Sequence, residues 1–100
     1  MAFQKLGRIE RMIYAEGMEP RDFATLLVDA LKSWQNDHAN AHERIRDSVE
    51  YLERSVECDA GCQSRLQTIK KLYDRMNQDP QNDEHRQSAL AEAEKLRDQF

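Results

Sequence analysis

The sequence is poor in the residues that interrupt a helix, with Gly 3 and Pro 2 in 100 residues. Few breakers, together with 34% charged residues and much Glu, Lys, Arg, Gln and Ala, argue against a turn-rich β fold and for helix. No run of useful length alternates apolar and polar residues, so no strand is expected. Two cysteines are too few for a disulfide framework. No long apolar run exists, so neither a signal-peptide pattern nor a membrane span is expected. These absences together predict a cytoplasmic location with Cys58 and Cys62 as reduced thiols and no membrane partner. Net charge −4 counts against nucleic acid as the main ligand.

A chain of this length predicts one domain over residues 1–100 with a small core. Of its 27 large apolar residues, 19 lie at or before Val56 and 8 after it. The core is therefore expected in the N-terminal half, with a loosely docked C-terminal part.

The richest stretch is residues 20–34. Phe23, Leu26, Leu27, Ala30, Leu31 and Trp34 follow helical spacing and form one wide apolar stripe. Pro20 suits the first helical position and Asp22 the first turn. Before it, Phe3, Leu6, Ile9, Met12 and Ile13 predict a helix over residues 3–15 that stops at Gly17. After it, residues 36–40 are polar and weakly helical. The apolar phase nevertheless continues through Ile45, Val49, Leu52 and Val56 in a near-heptad rhythm. One long helix over residues 21–57 fits that rhythm. A break fits the poor helix formers better, with a second helix capped by Asn40 and Glu43. Gly61 predicts the next stop. Leu66, Ile69, Leu72, Tyr73 and Met76 then mark a basic helix, and Asp79-Pro80 opens a last one over residues 81–98 whose apolar face is thin. The fold class expected is all-α, a small bundle of four to five helices.

Four features invite a chemical reading. His38 and His42, with Cys58 and Cys62, name the ligands of a structural zinc site. If residues 42 to 58 are helical, the pairs are separated by about 24 Å, too far for one ion within a chain. The expected metal and cofactor content is therefore none. Nothing orients a nucleophile, and no Glu or Asp precedes a His at the spacing a two-metal bundle uses, so no catalytic residue is assigned. The basic helix, with Arg65, Lys70, Lys71 and Arg75, is expected to pair with the acidic helix before it. That acidic helix carries Glu43, Asp47, Glu50, Glu53 and Glu57, a row of carboxylates able to imitate a phosphate backbone and occupy a basic groove.

The function expected is thus a non-catalytic protein-binding regulator or inhibitor that works through those five residues. Its partner would be another protein, with a nucleic-acid-binding complex as the candidate target. Small acidic phage- and plasmid-borne proteins that block CRISPR complexes are the analogy, in size and character alone. The alternative is a self-associating helical adaptor, a coiled-coil-like homodimer pairing along the seam from Leu31 to Val56.

Overall fold

The computed structural model describes residues 18–100, so the helix expected over residues 3–15 and its stop at Gly17 lie outside the described residues. Four helices follow: α1 (Pro20–Lys32), α2 (His38–Arg54), α3 (Ala60–Gln78) and α4 (Glu84–Gln99). They form an all-helical bundle, and no helix among the described residues is long and apolar enough to cross a membrane.

The start of α1 follows its local chemistry. Pro20 occupies the first turn, where no N–H is needed, and the Asp22 carboxylate accepts from the Glu19 N–H at 2.7 Å. Its stripe is core: Phe23, Ala24, Leu27, Val28, Ala30 and Leu31 are all buried. Phe23 stacks on Tyr51 of α2 with ring centroids 3.7 Å apart.

The chain breaks after α1, so the single helix over residues 21–57 does not exist. Residues 33–37 fold into turns in which Asn36 and Asp37 both donate to the Ser33 carbonyl. Ser, Asn and Asp offer the backbone alternatives to a helix, and here those alternatives win. Trp34, in the middle of the break, remains buried. The cap of α2 is Asp37 rather than Asn40; Asn40 instead donates to the Asp37 carboxylate at 2.9 Å.

Two later boundaries also move. The helix α2 stops at Arg54, and Gly61 lies inside the first turn of α3 instead of ending a helix. The cause is Asp59, whose carboxylate accepts from the Cys62 N–H at 2.9 Å and caps α3, so that the helix starts at Ala60, before the glycine. Asp79 closes α3, its N–H bonded to the Arg75 carbonyl at 2.9 Å, rather than capping the last helix. Asn82 takes over the approach to α4, accepting from the Glu84 N–H at 3.0 Å.

The expectation of a loose C-terminus is also corrected. The helix α4 packs against both α1 and α3. Its inner face is Ala89, Ala93 and Leu96, each with no exposed surface. Alanines let helix axes approach closely, so few apolar atoms fill the gap. Polar ties fix the placement. Arg86 grips Asp83 through two bonds of 2.6 and 2.8 Å and reaches the Leu31 carbonyl in the last turn of α1 at 3.2 Å. This pairing holds the Asp83 carboxyl down to about 2. Arg65 meets Glu92 at 3.2 Å, across α3 and α4.

With α1 between α2 and α4, and α4 between α1 and α3, the buried face of α1 is the centre of the core. Leu31→Ala should lower the unfolding free energy by about 2–5 kcal/mol in urea or guanidinium denaturation, since the site is fully enclosed. An unchanged midpoint would show that Leu31 does not sit in the core.

Candidate functional site

Of the helix pairs that pack side by side, α2 and α3 meet least. Between them lies a groove of about 470 Å³. Its floor is Ile45, Val49 and Ile69, all buried, and its rims carry charges of both signs: Arg46, Glu50, Glu53 and Arg54 from α2, Lys70 and Asp74 from α3. A polar tie closes each end. Toward the end of α2, the Glu53 carboxylate meets the Lys70 ammonium at 2.9 Å and the Gln67 amide at 3.4 Å, while Gln63 donates to the Glu53 carbonyl at 3.1 Å. Toward its start, the Tyr73 hydroxyl bonds the His42 imidazole, with both Nδ1 and Nε2 in reach.

That second tie belongs to an aromatic cluster. Trp34 lies 4.2 Å from the His38 ring and meets Tyr73 edge-on at 5.9 Å, and His38 stacks on His42 at 6.0 Å. Burial lowers the pKa of His42, and the neighbouring Arg46 and His38 lower it further against an opposing pull from Glu43. Burial raises the pKa of Tyr73, so its hydroxyl keeps its proton beside the imidazole.

The five carboxylates expected to form one binding face do not share one. Asp47 has no exposed surface at all. Glu43, Glu50 and Glu53 are half-buried, Glu50 meeting Arg54 at 2.9 Å and Glu53 serving Lys70. Glu57 alone of the five is exposed, and it lies beyond the end of α2. The exposed charges of α2 are instead Arg44, Arg46 and Arg54. The charge-matched pairing of α2 with α3 is realised at Glu53 and Lys70, whereas Arg65 turns to α4.

The zinc candidates also part company. Cys58 and Cys62 are joined by a disulfide, contrary to the expectation of reduced thiols, which removes both thiolates from any ligand set. The geometry is made by the turn before α3. It brings the two Cα atoms to 5.0 Å, inside the range a disulfide needs. Among the described residues no three His, Cys, Asp or Glu side chains converge as a metal site.

The feature that sequence reasoning missed is the connection between α2 and α3. Residues 55–58 form a β-turn closed by the Cys58 N–H to the Ser55 carbonyl at 3.1 Å, and the Glu57 N–H adds a bond to Ser55 Oγ at 3.2 Å. Val56 and Glu57 occupy the two corners. Val56 is 100% exposed, unlike the other large apolar side chains among the described residues. The available signal was Ser55, a good turn former; the unbroken heptad phase concealed it.

No family model, no curated protein and no solved structure matches the chain.

The His42 tie gives a pH signature. Its folded pKa lies below the ordinary 6.5, so the fold favours the neutral ring. The stability this contributes is complete above about pH 6.5 and is lost as pH falls through the depressed folded value. Denaturation midpoints measured from pH 8 to pH 5 should fall more steeply for the wild type than for His42→Gln. Parallel curves would remove His42 as the source.

Proposed function

We propose that this protein is a non-catalytic regulator or inhibitor that binds another protein through the tip of the α2–α3 connection and the seam behind it. The observation that carries this reading is Val56, wholly exposed at a turn corner beside the exposed carboxylate of Glu57. Single exposed apolar residues are common on protein surfaces, and what sets this one apart is its place at the corner of a hydrogen-bonded turn. An apolar knob next to a negative charge is complementary to an apolar pocket with a cationic rim. Nucleic-acid-binding complexes carry cationic surfaces of that kind, which makes such a complex the proposed target class. The mixed charges of Arg46, Arg54, Lys70 and Asp74 along the seam would fix orientation rather than supply most of the affinity.

The sequence row of carboxylates contributes to this reading only through Glu57, because Asp47 is enclosed and Glu50 and Glu53 have internal duties. The self-associating alternative rests on less. Leu31, Trp34, Ala41, Ile45, Val49 and Leu52 of the proposed inter-chain seam are already buried within one chain.

The test begins with capture from the native host, identification by mass spectrometry, and reconstitution with the purified partner. In calorimetric titration the double variant Val56→Asp, Glu57→Lys should bind at least about tenfold more weakly, a loss of about 1.4 kcal/mol, with an unchanged melting temperature. Wild-type affinity in that variant would refute the tip as the contact.

A further inference from the structure

The turn that displays Val56 and Glu57 is tied to the bundle in an unusual way. Its last residue, Cys58, is bonded to Cys62, the third residue of α3. Cys62 has no exposed surface and Cys58 has 8%, so the bridge is packed against the core while the turn projects from it. The bridged residues are only four apart. Closing so short a ring restricts the unfolded chain much less than a long-range crosslink does, so the bond is a poor device for stabilising the whole bundle. Its effect is local: it fixes where the turn stands relative to α3.

The other bonds of the turn are weak substitutes. The Ser55 N–H bonds the Leu52 carbonyl at 3.1 Å and ties the first residue of the turn to α2, while the Cys58 N–H to Ser55 carbonyl bond and the Glu57 N–H to Ser55 Oγ bond lie inside the turn, so none of the three ties it to α3. Asp59 caps α3 through the Cys62 N–H and takes a 3.0 Å bond from Gln99 of α4, which secures the helix start just beyond the turn. Between the anchored Asp59 and the end of α2 at Arg54, the disulfide is the covalent brace.

We infer that the Cys58–Cys62 disulfide is a redox-controlled brace: oxidised, it presents Val56 and Glu57 in one fixed geometry, and reduced, it releases the turn and weakens partner binding. The inference rests on the tip being the contact surface. The chemistry is ordinary thiol–disulfide exchange with a dithiol reductant. A reductant thiolate attacks Sγ of Cys58, the more exposed cysteine. The S–S bond breaks, and Cys62 leaves as a thiolate that takes up a proton. The reductant's second thiol then displaces Cys58 from the mixed disulfide, and Cys58 is protonated in turn. The protein gains two electrons and two protons, and the reductant becomes a disulfide.

The first test uses the full chain alone. Protein purified without reductant, unfolded and alkylated, should carry no modified cysteine by mass spectrometry, and two after treatment with dithiothreitol. Amide hydrogen exchange at residues 55–62 should quicken at least about tenfold on reduction, while the buried amides of α1 and α4 stay unchanged. The Cys58→Ser, Cys62→Ser variant should match the reduced protein; if it fails to fold, reduced wild type alone decides. Two free thiols in the unreduced protein, or exchange that ignores reduction, would overturn the brace. The second test compares the affinity of the oxidised and reduced forms for the purified partner. At least a fivefold loss on reduction is expected, and equal affinity overturns redox control even where exchange has changed. The Val56→Asp, Glu57→Lys variant separates the two ideas: if it binds normally, the tip is not the contact, whatever the disulfide does to the turn.

Discussion

The close approach of α4 to its two neighbours is the constraint on which the rest of the bundle depends. Ala89 and Ala93 put almost no side-chain volume between the helices, and Leu96 fills the space that remains. Once α4 occupies the place beside both α1 and α3, the order of helices around the core is settled. Of the neighbouring pairs, α2 and α3 are left with least contact, and the groove between them follows from that ordering. The exposed turn lies at the end of this same loose pair. A larger residue at position 89 or 93 would push the axes apart and redistribute contact around the ring.

Much of this was legible in the residues. The stripe from Phe23 to Trp34 is core because six apolar residues at helical spacing leave a single burial face, and the start of α1 obeys its Pro20 and Asp22 signals. The break around Trp34 was readable from the density of Asn, Asp and Ser. What was not legible has physical reasons. Periodicity reports which face is apolar but says nothing about how closely a neighbour approaches, so α4 seemed thin when its alanines were the point. Caps compete: Asp37 and Asn40, or Asp59 and Gly61, each supply a plausible boundary, and the choice falls to three-dimensional bonds such as Gln99 to Asp59. The heptad phase ran through Val56, so it read as one more buried position although the helix had already ended at Arg54.

Charge shows the same limit of linear reading. Counted along the chain, α2 is an acidic helix. In the fold its carboxylates are drawn inward, Asp47 wholly and Glu43, Glu50 and Glu53 by half, while Arg44, Arg46 and Arg54 face water. Burial sorts the signs, because a half-buried carboxylate with a partner such as Lys70 or Arg54 loses less than an unpaired one. The surface a partner meets is therefore not the surface a composition count describes. The same holds for Tyr73 and His42, which look like a core aromatic and a metal-ligand candidate in sequence, yet together close one end of the groove.

The Arg86 bond to the Leu31 carbonyl has a kinetic meaning. It joins residues 55 positions apart, and the packing of α1 on α4 spans a similar distance along the chain. Contacts between α1 and α2 are local and can form early, but the inner face of α1 cannot be sealed until the last helix exists. During synthesis, a chain emerging from the ribosome exposes Leu27, Leu31 and their neighbours until residues 84–99 follow. The helix α4, short in apolar residues, is therefore required before that face is sealed.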